Sequence, residues 1–150
     1  MAVFRENPYA GFNFLVDLGD GNTEGPQAGF SEVSGLGLEI TVIEYRNGNA
    51  RENSVLKLPG LNKAGNVTLK RGVTGSMSLW KWIDDVRNGN ALMRRNVTIH
   101  LQNEDHSMVV ESWKLSRAWP SKYVGPRFNA QATDIAIEEL VLSCDRMELE

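Results

Sequence analysis

Apolar residues recur at every second position in short runs separated by turn-forming residues. That period of two commits most of the chain to half-buried β-strands. Phe12, Phe14, Val16 and Leu18 share one face of the first run, with Asn13 and Asp17 opposite. Leu38, Ile40 and Val42 oppose Glu39 and Thr41, and Val67 and Leu69 oppose Asn66, Thr68 and Lys70. Val97, Ile99 and Leu101 repeat the pattern against Thr98, His100 and Gln102, and a further strand is predicted over Met108 to Leu115. The last strand begins near Ile135. Its alternation slips by one at Glu138-Glu139 and resumes at Leu140, Leu142 and Cys144, which predicts a β-bulge there.

One segment has helical spacing instead. From Ser76 to Arg87, Leu79, Trp82, Ile83 and Val86 fall at i, i+3, i+4 and i+7, while Lys81, Asp84 and Asp85 lie elsewhere on the wheel. Thr74 or Ser76 is the predicted cap, and Asn88-Gly89 supplies a left-handed terminator. Six or more strands with one helix predict a mainly β fold, an antiparallel barrel or sandwich with a flanking helix. Between Tyr45 and Val67 the chain is polar and rich in Asn and Gly, and it carries Leu56-Lys57-Leu58-Pro59-Gly60. This suits an arm leaving the barrel at about 45–65 better than a buried strand. The loop Gly19 to Gln27 reads as a surface connection. Arg-Asn-Gly-Asn-Ala at 46–50 and 87–91 reflects shared turn chemistry, not a repeat.

At 150 residues the expectation is a single domain spanning 1–150 with a real core. A formal charge of -3 argues against specific nucleic-acid binding, which needs a basic face to displace phosphate counterions. No apolar run reaches the roughly 18 residues of a membrane-spanning helix. The start, Met1 to Pro8, lacks the charged and apolar regions of a signal peptide, so synthesis in the cytoplasm outside the general secretory route is expected. A single cysteine, Cys144, excludes an internal disulfide and reads as a small buried hydrophobe.

Candidates for chemistry are few. His100 and His106 are six apart, His100 on a polar strand face and His106 in the turn 103–107, and no HxH, HxxxH or HExxH spacing occurs. Gly72-Val73-Thr74-Gly75-Ser76 has neither a nucleophile elbow nor the lysine of a phosphate loop. Glu138 and Glu139 point to opposite faces of a strand and cannot flank one substrate atom; they read as a bulge or an exposed face. The four tryptophans, with Lys70-Arg71 and Arg94-Arg95, are explained by packing more cheaply than by base stacking. No enzyme, metal site or cofactor is predicted.

Several segments taken in order resemble a known family: Phe30-Ser31-Glu32-Val33-Ser34-Gly35-Leu36, Glu39, Leu58-Pro59-Gly60, Leu69-Lys70-Arg71-Gly72, the Trp80/Trp82 helix, Ala118-Trp119-Pro120 and Glu138-Glu139-Leu140. Their order and spacing resemble the T-even-type phage tail tube family, which includes the inner-tube subunits of extracellular contractile injection particles. Its fold is similar to the type VI secretion tube protein. The resemblance runs from about Phe12 to Leu142. It implies a subunit of six-membered rings, stacked into a hollow tube within a contractile sheath and carrying DNA or protein cargo. The implied partners are further copies of the chain, the sheath, a baseplate or spike adaptor, a tube terminator, and a tape-measure protein or effector in the lumen. It further implies inter-subunit contacts through Tyr45, Arg46, Asn47, Leu56, Leu58, Pro59 and Gly60 of the arm. Lys70 and Arg71 would pair across a boundary, and Phe4 and Pro8 of the N-terminal segment (Ala2 to Tyr9) would touch the next ring. The alternative is a monomeric β-barrel binding a small ligand in a roomy apolar interior.

Overall fold

In a computed structural model the described residues are 4–19, 29–90 and 93–150. They form nine strands and one helix: β1 (Phe14–Asp17), β2 (Glu32–Ser34), β3 (Leu38–Tyr45), β4 (Leu56–Ala64), β5 (Val67–Gly72), α1 (Ser78–Arg87), β6 (Arg95–Gln102), β7 (Val109–Val124), β8 (Ile137–Ser143) and β9 (Arg146–Leu149). The loop predicted from Gly19 to Gln27 lies, beyond Gly19 itself, outside the described residues, as do the first residues of the N-terminal segment.

All pairings are antiparallel, as expected. One layer runs β1-β6-β7-β9 and the other β2-β5-β8-β7, so the long strand β7 belongs to both. Its first half pairs with β6 and β9, and its second half pairs with β8. The strand predicted to stop at Leu115 continues to Val124 because one extra residue near Arg117 and another at Ser121 let it bend from one layer into the next. Arg117 occupies the left-handed region at φ 54, and its N–H donates to Asn96 Oδ1 at 3.1 Å. Pro120 lies where β7 pairs only with β8 and next to the extra residue at Ser121, the edge or bulge setting in which a strand tolerates proline.

The core fills the space between the layers with matched rows. Val97, Leu115 and Met147 lie side by side across one layer, and Val33, Leu69, Leu140 and Tyr123 across the other. Leu79 and Trp82 of α1 join them, and the helix packs on β7. Trp82 Nε1–H donates to the Met93 carbonyl at 2.6 Å, and the Arg95 guanidinium lies 4.6 Å from its ring centre. The helix starts at Ser78 rather than Ser76, with no side-chain cap at Met77; Ser76 Oγ accepts instead from the Ser78 N–H. Its end is as predicted, with Gly89 at φ 84.

Two expectations from the alternation fail. There is no bulge at Glu138-Glu139: β8 pairs with β5 without interruption from Gly72↔Ile137 to Val67↔Leu142. The inward positions are 138, 140 and 142, so the apparent slip arises because Glu138 is a buried carboxylate within an otherwise apolar row. Nor are Leu38, Ile40 and Val42 a core face. Among the described residues β3 pairs only with β4, forming a separate hairpin whose side chains on β3 are all exposed. The segment standing off the body therefore begins at Leu38, seven residues earlier than the expected arm, and Leu56 to Gly60 lie on its second, largely exposed strand.

Candidate self-association surface

The β3–β4 hairpin is a two-stranded ribbon carrying exposed Leu38, Ile40, Val42, Ile43, Tyr45, Leu56, Leu58 and Leu61, the last 84% accessible. A two-stranded ribbon is marginal by itself, and so many clustered exposed apolar side chains make it the candidate contact surface of the subunit. The strands pair as Leu38↔Ala64 to Ile40↔Asn62 and, beyond an extra residue at Gly60 or Leu61, as Val42↔Pro59 to Tyr45↔Leu56. Backbone packs tightly at that step: a Cβ on Gly60 would stand 2.9 Å from the Thr41 carbonyl oxygen. At the outer end the turn is held by Arg46, which donates to the carbonyls of Glu52 (3.2 Å) and Ala50 (3.1 Å), and by the Tyr45 hydroxyl, which donates to Asn47 Oδ1 (2.6 Å). Of the predicted arm residues, Tyr45, Leu56, Leu58, Pro59 and Gly60 thus stand on the ribbon, while Arg46 and Asn47 shape its tip.

Gly35 anchors the ribbon's root. It sits at φ 84, and a Cβ there would lie 2.1 Å from the Asn66 carbonyl oxygen, so only glycine lets the chain pass this close to β5. The Gly65 N–H closes the root by donating to the Gly37 carbonyl at 2.8 Å.

Arg71 is not a boundary residue. It is 1% exposed and lies opposite Glu138 in the β5–β8 ladder, its Nε donating to Glu138 Oε1 at 2.6 Å. Its Nη2 donates to Ser78 Oγ and to the Ser76 carbonyl, which pins the loop entering α1, and the Tyr123 hydroxyl donates to Glu138 Oε2 at 2.9 Å. Burial, followed by that hydrogen bond to Glu138, pushes the Tyr123 hydroxyl pKa above its ordinary value. These partners all lie inside the subunit, so the expectation that Arg71 pairs across a boundary meets a guanidinium that is buried and already ion-paired with Glu138. Lys70 is half-buried and already paired, with Glu32 at 3.0 Å.

At the N-terminus Phe4 is almost wholly exposed and Pro8 is exposed. Arg5 ties this segment down through Glu104 Oε1 at 2.5 Å, the Pro8 carbonyl at 3.1 Å and the Tyr9 ring at 3.7 Å. The hydrogen bonds from Arg5 lower the Glu104 carboxyl to about 2.

Elsewhere the arrangement offers packing more than chemistry. His100 Nδ1 lies 2.7 Å from Ser112 Oγ, and His106 Nδ1 lies 3.2 Å from Gln102 Oε1. Among the described residues no group of three His, Cys, Asp or Glu side chains is gathered as a metal site. Cys144 is half-buried at the bend between β8 and β9, and burial raises its thiol pKa. Between the layers the inward side chains close on one another, where a carrier barrel needs a cavity. A hollow of about 720 Å³ lies instead on the surface loop between Arg127 and Ile137.

Sequence reasoning missed Leu38, Ile40, Val42 and Ile43 as surface residues. The available signal was Ile43 and Tyr45, which extend the apolar character of this run onto the opposite parity.

The profile of the T4-like virus tail tube protein gp19 family matches residues 10–148. The chain belongs to this family. It is a structural subunit of a tail tube, and its fold relatives agree. It is 33% identical to a chain of an extracellular contractile injection system, the PVC sheath-tube complex in the extended state, with a TM-score of 0.83 over 97% of this chain and 93% of that one. It is 31% identical to a chain of the anti-feeding prophage tube terminating cap, with a TM-score of 0.83 over 100% and 95%. Hcp1 from Flavobacterium johnsoniae, at 15% identity and a TM-score of 0.55 over 91% and 93%, shares the fold. No curated protein matches the chain. Among the described residues no helix of this tail tube protein is long and apolar enough to cross a membrane.

Proposed function

We propose that the chain assembles into six-membered rings that stack into a rigid hollow tube within a contractile sheath, and that the β3–β4 hairpin is the arm joining subunit to subunit. The observation that carries this reading is the hairpin itself: an apolar ribbon standing off a well-packed body. A closing ring is made of heterologous contacts, one patch of each copy meeting a different patch on its neighbour, so every copy presents such an arm and a surface to receive it. Function is mechanical, with no bond made or broken: sheath contraction drives the tube through a target envelope, and DNA or protein passes along the lumen. Relatives described in a sheath-tube complex, a terminating cap and a baseplate support the same partners here, with a tape-measure protein or effector inside. The particle is a virion tail or a released extracellular injection device. Phe4 and Pro8 are exposed and Lys70 is half-buried, and all three remain candidate contacts at ring boundaries.

The test is negative-stain microscopy with sedimentation of the purified protein over a wide range of concentration and salt. Rings or tubes that grow with concentration are expected, and monomers under every condition would sink the reading.

A further inference from the structure

The hairpin's apolar side chains do not lie on one face. Residues alternate sides along β3, so Leu38, Ile40 and Val42 share one face, with Glu39 and Lys63 opposed on the other. In the outer half the assignment is reversed. Ile43 and Tyr45 lie on the second face with their partners Leu58 and Leu56, while Glu44 and Lys57 are opposed on the first. The changeover falls between the adjacent pairs Val42↔Pro59 and Ile43↔Leu58, immediately beyond the extra residue on β4. Neighbouring residues of a strand point in opposite directions, so the step from Val42 to Ile43 carries the apolar side chains from one face of the ribbon to the other.

An arm lying flat on a single neighbour would need one continuous apolar face and would leave the charges on the other. Here each half is apolar on one side and carries an opposite-charge pair on the reverse, and both patches stand exposed in the subunit. We propose that the hairpin is shared between two different neighbouring copies of the chain, the inner patch (Leu38, Ile40, Val42) covered by one and the outer patch (Ile43, Tyr45, Leu58) by the other. This rests on the reading of the hairpin as the self-association arm. The occupants are copies of the chain because a tail tube is built by repetition of its subunit, and a subunit in stacked rings has neighbours of two kinds: beside it and above or below it. Each charge pair then remains in water on the reverse of the patch that docks. A single hairpin wedged between a lateral and an axial neighbour couples ring closure to stacking.

Two double variants of the full chain separate the patches: Ile40→Asp with Val42→Asp, and Ile43→Asp with Leu58→Asp. All four positions are exposed, so circular dichroism and thermal melting should match the parent; should either pair perturb folding, threonine at the same positions makes the same comparison. Assembly is read by sedimentation velocity and negative-stain microscopy. The expected result is arrest at two different species, one variant stopping at discrete rings and the other before ring closure, each with at least a tenfold loss of tubes. If both variants stop at the same species, the two-neighbour division is wrong while the arm itself stands. If both form tubes as readily as the parent, the arm reading falls together with the division.

Discussion

The contact between Arg71 and Glu138 is the most consequential pair of residues in the subunit, because both charges are out of water and each answers the other's hydrogen-bonding needs. Removing one partner strands the remaining charge. Arg71→Met alone is expected to cost about 3 to 5 kcal/mol in chemical denaturation, whereas Arg71→Met combined with Glu138→Leu should recover most of that loss or exceed the parent. An additive double variant would refute the account of a matched buried pair. Gly35→Ala should cost at least about 1 to 2 kcal/mol from its left-handed backbone alone, with a further loss from the contact with the Asn66 carbonyl. Arg117→Gly acts in the opposite sense. A non-glycine residue held at φ 54 is strained, and its exposed ion pair with Asp145 at 3.5 Å contributes little. The substitution should therefore leave the melting temperature unchanged or raise it, and a fall of several degrees would show that the Arg117 side chain matters more than its backbone. Glu138 also shows how a residue defeats pattern reading: a carboxylate in an apolar row looks like a change of register until its partner is found 67 positions away.

Among the elements, α1 was the most legible in the sequence, since Leu79, Trp82 and Val86 repeat at helical spacing against the body and Asn88-Gly89 ends the run. Strands β1, β5 and β6 were legible for the matching reason, one face of each being dry and the other wet. β7 was half legible, because alternation stops at the bulges and a strand shared by two layers changes which parity is buried. The hairpin was the least legible. Alternation in β3 marks an apolar face, and a sequence does not say whether anything that packs on it belongs to the same subunit. Polarity between Tyr45 and Val67 points to an arm, but it places the start at Tyr45 instead of Leu38. A shortened ribbon tests the element directly. Deleting Asn47 to Lys57 leaves Ile43 opposite Leu58 across a three-residue connection, a length that hairpins commonly use. The body should melt as before while stacked tubes disappear from micrographs; tubes of normal length would remove the arm from the assembly.

At the scale of the whole molecule, the subunit consists of two parts with different sources of stability. The layered body owes its order to Leu69, Leu115, Leu140, Leu142 and Trp82, all buried within one chain. A lone two-stranded ribbon draws on cross-strand pairs alone and sits near the edge of stability. If neighbouring copies cover the ribbon, binding stabilises it by mass action and leaves the body nearly unaffected. Amide hydrogen exchange separates these contributions, because it reports the opening free energy of each segment. In dilute protein kept monomeric, β3 and β4 amides should exchange fast, while β5 and β8 amides are strongly protected. In assembled tubes the hairpin amides should slow by at least about tenfold, equivalent to about 1.4 kcal/mol of added local stability, with β5 and β8 little changed. Hairpin amides already as slow in the monomer as those of β5 would mean that the ribbon is rigid without a partner. Equal slowing of every strand would mean that assembly stabilises the subunit as one body, and either result would remove the physical ground for an arm completed by its neighbours.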